Sequence, residues 1–232
     1  MIEPINYVED ECFTIKFHKS DNILAAGYSS GRIGIFSMDG KQPNKVITAS
    51  EYPITCIRWK PNIEDRDKSI LVSVSAEGII SQFHAKSGRE LIKIQEHSPI
   101  MCLDYTKEGN IFATGSNDMK VRLYDDNTKC CITEMKPSGF DNPGHSNRIF
   151  SLNFHKEIQN LLTSGGWDNT IQFYDVRAGT IVNSLYGPHL CGDSLDTKGD
   201  YMLTGSWALE NQIQIWDIRT LKLVETVSWG EI

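Results

Sequence analysis

A histidine, a serine and an aspartate recur in one order along this chain, and together they are the side chains of a nucleophilic triad. His145, Ser164 and Asp168 form one set, and His97, Thr114 and Asp118 form a second with threonine in the serine position. In a hydrolase such residues would supply a hydroxyl nucleophile, a general base and a carboxylate that orients the base. Their repetition argues against that chemistry, because a triad is one site in one cleft. A constellation that returns with a sequence repeat belongs to a scaffold. No nucleophile elbow, Gly-rich phosphate loop or paired metal ligands stand out in the sequence, so no catalytic residue, cofactor or metal is assigned.

Each set leads to an aromatic that closes an alternating strand. The cleanest copy of the unit runs from Gly144 to Arg177, GHSNRIFSLNFHKEIQNLLTSGGWDNTIQFYDVR. It opens on Gly-His and gives strands at Ile149–Phe154 and Leu161–Ser164. A tight Gly-Gly-Trp-Asp-Asn turn follows, then a third strand ending in Tyr174-Asp175. Anchored on the closing aromatic, Phe36, Phe83, Tyr124, Tyr174 and Trp216 fall in register, at separations of 47, 41, 50 and 42 residues. No stretch shows a helical period, so the chain reads as all-β, with about twenty short strands.

This pattern resembles the WD-repeat family of β-propellers, whose units run from a Gly-His pair to a Trp-Asp pair over about 40 to 45 residues. The resemblance implies one domain over residues 1–232, built of four-stranded antiparallel blades at about 12–49, 54–94, 97–135, 145–186 and 189–228. Only the last blade carries Trp-Asp outright. Five copies are fewer than family rings ordinarily use. Residues 5–8 could supply a closing strand, yet blade five already owns Leu221–Ser228, so an open arc or partial ring is expected rather than a closed five-blade ring.

In the family, the Gly-His histidine, a Ser or Thr on the second strand, the turn Asp and the third-strand Trp form a hydrogen-bonded chain. The resemblance carries that role to His145, Ser164, Asp168 and Tyr174 in blade four, and to His97, Thr114, Asp118 and Tyr124 in blade three. A tyrosine hydroxyl is not placed like an indole N–H, which makes the last link the weakest expectation. Blades one and two carry Ser30 and Glu77 in place of the turn Asp and lack the Gly-His pair, so apolar packing should hold them. In blade five, aligning Leu190–Leu195 on Ile100–Tyr105 puts Asp193 where Leu103 stands, which predicts a buried carboxylate with His189 and the Gly192 backbone as candidate partners.

A formal net charge of −7 gives no electrostatic reason to bind a phosphate backbone, so no nucleic-acid partner is expected. The amino terminus has no secretory pattern and no apolar run reaches membrane-spanning length, which predicts no membrane and a cytoplasmic setting, with cytoskeletal, ciliary or nuclear placement as variants. The six cysteines include no C-x-x-C pair, and Cys56 and Cys102 sit where inner strands want a small side chain. PNIEDRDKS, between the first two strands of blade two, reads as a charged loop.

The resemblance therefore implies a non-catalytic scaffold, a subunit of a larger complex that binds a protein or peptide on the face carrying the fourth-to-first-strand connections. Family geometry points Asn117 and Trp167 from the turns onto that face, with Trp207 nearby and Pro99, Met101, Arg148 and Phe150 beside the inner strands. Large aromatics, Met and Arg are the composition of an interface hot spot. The loop from Lys136 to Gly144 would form its rim. Tyr174-Asp175-Val176-Arg177 and Trp216-Asp217-Ile218-Arg219 resemble the Trp-Asp-x-Arg box of receptors that dock on cullin-type ubiquitin ligases, giving an alternative as a substrate receptor. A structural subunit of a cytoskeletal or ciliary assembly is another alternative. A propeller hydrolase or isomerase is the reading from a different class.

Overall fold

Period-two alternation folds into five four-stranded antiparallel sheets, each made of four consecutive strands, in a computed structural model that describes residues 10–19, 22–38, 43–61, 69–137 and 143–228. Blade one holds Cys12–Phe17, Ile23–Tyr28, Arg32–Ser37 and Pro43–Thr48. Blade two holds Ile54–Trp59, Ile70–Ser75, Ile79–His84 and Arg89–Gln95. Blade three holds Ile100–Tyr105, Ile111–Ser116, Val121–Asp125 and Cys131–Glu134. Blade four holds Ile149–Phe154, Leu161–Gly166, Thr170–Asp175 and Thr180–Tyr186, and blade five Leu195–Lys198, Tyr201–Gly205, Ile213–Asp217 and Lys222–Val227. No described strand is shared between sheets. The candidate closing strand at residues 5–8 and the charged loop at 62–68 lie outside the described residues.

The sheets fall into two compact units, the first with blades one and two, the second with blades three to five together with Lys60 and Pro61. Within each unit the core lies between successive sheets. The side of a blade that meets the following blade is here called its trailing face, and the opposite side its leading face. In the first unit Ala25, Ile35 and Ile47 of blade one pack on Ile57, Leu71 and Phe83 of blade two. In the second, Ala113, Val121 and Leu123 of blade three pack on Leu152, Phe154 and Tyr174 of blade four. Ile171, Phe173 and Leu185 of blade four pack on Leu195, Met202 and Trp216 of blade five. A glycine on the second strand makes each junction possible. A Cβ on Gly27 would come within 2.7 Å of Ile54, one on Gly115 within 2.7 Å of Ile149, and one on Gly165 within 2.3 Å of Leu190.

Blade five departs from the expected register. Its first strand is Leu195–Lys198, not Leu190–Leu195. Leu195 pairs with Thr204 as Leu152 pairs with Ser164 and Leu103 with Thr114, so Leu195, not Asp193, occupies the apolar position. Leu190 still docks like the first apolar residue of the other blades, fully buried with its N–H on the Gly166 carbonyl at 3.1 Å. The chain from Leu190 to Leu195 is two residues longer than that from Ile149 to Leu152, and the excess is looped out at Cys191–Ser194. Asp193 is exposed on that loop, and Gly192 turns it at a φ of 120°. The expected burial of this carboxylate is thus corrected: an insertion absorbs it.

Candidate functional site

The triad-like set of blade four is assembled as a chain of hydrogen bonds. His145 Nδ1 lies 2.8 Å from an Asp168 carboxylate oxygen and Nε2 lies 2.6 Å from Ser164 Oγ, which in turn is 3.0 Å from the Tyr174 hydroxyl. The tyrosine thus completes the link that an indole N–H makes in blade five, where Trp216 Nε1 donates to Thr204 Oγ1 at 3.0 Å. Burial opposes ionisation of Asp168. The bond and charge of His145 and the N–H of Ser146 nevertheless hold its carboxyl below the usual range. Burial pushes the Tyr174 phenol well up, so it stays neutral. The His145 and Asp168 side chains are 0% and 1% exposed, so this set meets no substrate; it ties the loop entering the blade to the second and third strands.

Blade three performs the same task with other chemistry, and here the expectation for His97 is corrected. His97 is exposed, and its predecessor Glu96 enters the sheet instead. One Glu96 carboxylate oxygen accepts from Thr114 Oγ1 and the Tyr124 hydroxyl, each at 2.8 Å. The other accepts from Ser116 Oγ at 3.2 Å and Arg122 at 3.0 Å. Arg122 then reaches the turn carboxylate of Asp118 at 2.5 Å. Burial works against the Arg122 charge, yet the bond to Asp118 and the carboxylates of Glu96 and Glu134 raise its pKa, so it remains a guanidinium. Burial and the Glu96 charge likewise push the Tyr124 phenol well up.

The first two blades also carry polar ties that their sequence did not announce. In blade one Asp10 accepts from Ser29 Oγ at 3.0 Å and the Ser30 N–H at 2.8 Å, and from the Ser30 hydroxyl. In blade two the Ser50 hydroxyl donates to Glu77 at 3.2 Å, and Gln95 donates to the Glu77 carbonyl at 2.9 Å.

These ties fix the end of each blade where the second-to-third-strand turn sits beside the entry to the first strand. One backbone bond recurs there. The N–H of Asn117, Trp167 and Trp207 donates to the carbonyl of Pro99, Arg148 and His189 at 2.8, 3.1 and 2.8 Å. The turn residue of a blade is thereby set beside the residue that precedes its first buried apolar position. In the second unit this builds an aromatic run. Trp167 stacks on Phe150 with ring centroids 5.0 Å apart and on His189 at 6.1 Å, while the Arg148 guanidinium lies 5.3 Å from its ring centroid. Trp167 is 36% exposed, Arg148 is exposed, and Phe150 and His189 are half-buried.

Three of the seven expected face residues, Arg148, Phe150 and Trp167, are thus in mutual contact. Pro99, Met101 and Asn117 share the same end of blade three without joining the stack, and Trp207 stands clear of it at 77% exposure. His189 was not expected in the group. Its signal was available, since it precedes Leu190 as Arg148 precedes Ile149, but the mistaken register paired it with Asp193. It is held by Asn169, 2.6 Å from its Nδ1. Of the expected rim, residues 138–142 lie outside the described residues, and Lys136 bridges to Thr180. The arginines of the two box-like segments make ion pairs, Arg177 with Asp175 of its own turn at 3.0 Å, and Arg219 with Asp217 of its own turn at 3.6 Å and with Asp200, between the first two strands of blade five, at 3.3 Å.

Comparison with known proteins matches residues 88–125 and 136–175 to the family described as WD domain, G-beta repeat. A periodic tryptophan protein 2 homolog of Caenorhabditis elegans is 24% identical over 93% of this chain and 23% of its own length. A U3 small nucleolar RNA-associated protein 21 homolog of Schizosaccharomyces pombe is 25% identical over 79% of this chain and 19% of its own. The cell division cycle 20.1 cofactor of the APC complex from Arabidopsis thaliana is 25% identical over 72% of this chain and 36% of its own. The chain therefore spans about a fifth to a third of these relatives. Among solved structures, a chain of the mitotic checkpoint complex superposes with a TM-score of 0.77 at 18% identity, over 94% of this chain and 64% of its own. A computationally designed protein, Ika8, superposes with a TM-score of 0.71 at 23% identity, over 92% of this chain and 60% of its own. Both likenesses establish the blades as those of a propeller.

Proposed function

We propose that this chain, whose residues 88–125 and 136–175 match the WD-repeat model, is a non-catalytic scaffold of propeller blades whose docking site is the aromatic end of blades four and five. The Phe150–Trp167–His189 stack with Arg148 at its edge carries the reading. Aromatic rings already held by backbone bonds and stacking lose little freedom when a partner covers them, and Trp, Phe and Arg dominate binding energy at interfaces. Stacking on His189 also lets Trp167 cover the junction between two blades, and the exposed third of its surface is what a partner would bury. The partner expected is a protein or peptide segment that lays an apolar side chain on Trp167 and a carboxylate near Arg148. The relatives support membership of an assembly, since one is named as a cofactor of the APC complex and another as associated with a small nucleolar RNA.

Protein is preferred to nucleic acid on charge, because a net −7 opposes a phosphate backbone. No described helix is long and apolar enough to cross a membrane. The relatives' names give the expected cytoplasmic setting no support. The ligase-receptor reading has less behind it than the docking face, because Arg177 and Arg219 already pair with acids of this chain, Asp175, Asp200 and Asp217. Affinity capture from the native cell, repeated with Trp167→Ala and Phe150→Ala, tests the proposal. Each variant should bind the captured partner about 2 kcal/mol more weakly while keeping its far-UV circular dichroism and cooperative thermal unfolding. Normal binding by both would remove the site from this end of the blades.

A further inference from the structure

Two sheet faces are built like the interior of a blade junction and lie open. The first is the leading face of blade one. Position by position along the strand pairing, Ile15 matches Ile57, Leu152 and Leu195, and Phe17 matches Phe154. Where a preceding blade lies against them, Ile57, Leu152 and Leu195 are 0%, 1% and 5% exposed and Phe154 is 2% exposed, whereas Ile15 is 55% and Phe17 58% exposed. Phe13, at the register shift that begins the same strand, is 52% exposed.

The second is the trailing face of blade five. Leu203 and Ile215 match Thr163 and Phe173 of blade four, which blade five covers to 0% and 2% exposure, yet Leu203 is 45% exposed and Ile215 is only half-buried. Gly205 gives an independent sign. It stands where Gly27, Gly115 and Gly165 stand in the other junctions, and in each of those the first apolar residue of the next blade closes to 2.7 Å or less of the added Cβ position. At Gly205 the nearest atom is the blade's own Ser194 Cβ at 3.4 Å. The receiving half of a junction is present without its insert.

The two faces are opposite halves of one kind of interface, repeated within both units, and both occur on this chain. We infer that two copies of the chain associate head to tail, the leading face of blade one in one copy seating on the trailing face of blade five in the other. Ile15 and Phe17 would pack against Leu203 and Ile215, with Cys12, which matches Ile149, entering the space over Gly205. Such an interface is heterologous, so a pair of copies keeps one leading and one trailing face available and the contact propagates until a ring closes. Exposed apolar faces of this extent, on sheets otherwise packed on one side, are the driving force.

Sedimentation velocity of the 232-residue chain over a concentration series tests the inference. Wild type should associate as concentration rises, while Ile15→Lys and Leu203→Lys should each be monomeric alone. An equimolar mixture of the two variants retains one intact junction, so it should form a two-chain species and nothing larger. A wild-type monomer at every concentration would overturn the inference, since other blades or the chain's own would then be the occupant. Association surviving in Leu203→Lys alone would also overturn it, because that requires two leading faces to meet each other. Should either variant lose its near-UV signal, Phe17→Lys and Tyr201→Lys place the charge on the same faces and carry the same expectations.

Discussion

Blades three and four solve one mechanical problem with different charges. Both must tie the entering loop to the second and third strands, and both end on a tyrosine hydroxyl. Blade four uses an imidazole between Asp168 and Ser164, with Gln172 on the third strand donating to Thr170 at 3.0 Å. Blade three uses a buried carboxylate against a guanidinium, Glu96 with Arg122, whose side chains are 5% and 16% exposed. The requirement is therefore a side chain at the loop with two hydrogen-bonding ends that match the turn and the strands, and histidine, which donates to Asp168 and meets Ser164 with its other nitrogen, is one way to meet it. The two solutions differ in what their loss leaves behind. Removing the histidine leaves the Asp168 carboxylate with the Ser146 N–H and Thr170 still donating to it, whereas removing the glutamate takes the shared acceptor from Thr114, Ser116, Tyr124 and Arg122 at once.

That difference predicts unequal costs. Glu96→Ala leaves Arg122 half-buried with one carboxylate fewer and deprives Thr114, Ser116 and Tyr124 of their acceptor. Its expected cost is about 3 to 5 kcal/mol in chemical unfolding, the range for breaking one partner of a buried pair. His97→Ala, one residue along, should change stability by under about 0.5 kcal/mol, as surface substitutions do. Equal effects at the two positions would mean that the loop enters the sheet in the other register.

Acid should distinguish the blades by a smaller margin. The Asp168 carboxyl titrates below its ordinary value of 3.8 in the folded chain. A depressed carboxyl contributes stability that is present above the unfolded pKa and lost as pH falls through the folded one. Asp168→Asn should therefore unfold more easily than wild type at about pH 6, with the gap shrinking towards about pH 3. A gap that stays constant with pH would assign the role of Asp168 to shape rather than charge.

Much of this was legible because strand alternation and closing aromatics are periodic signals. They place all five sheets and the Ser164, Asp168 and Tyr174 positions, and family geometry brings Arg148, Phe150 and Trp167 to one end. The Glu96 lock was hidden by a neighbour: His97 completes an apparent Gly-His position, although glutamate, not glycine, precedes it. Arg122 was the available clue, since an arginine inside a strand demands a carboxylate. Asp10 escaped notice for a related reason, because the middle acid of the run Glu9-Asp10-Glu11 before a strand has no periodic signature. The fifth blade misled because its first strand is only four residues, Leu-Asp-Thr-Lys, too short and polar to reveal a two-residue insertion.

The insertion itself can be tested through Asp193. If this residue took the place of Leu103, its replacement by leucine would unpair a buried hydrogen-bond network and cost several kcal/mol. On the looped-out segment its carboxylate is exposed, and any ion pair it makes there is screened by water and contributes about 0 to 1 kcal/mol. Asp193→Leu should therefore shift the unfolding midpoint little, whereas Leu195→Asp, at the position that does align, should cost several kcal/mol because it buries a charge among Phe173, Leu190 and Met202. Thermal unfolding of the two variants side by side reads the register directly. A large loss in Asp193→Leu together with a small one in Leu195→Asp would restore the alignment in which blade five begins its first strand at Leu190.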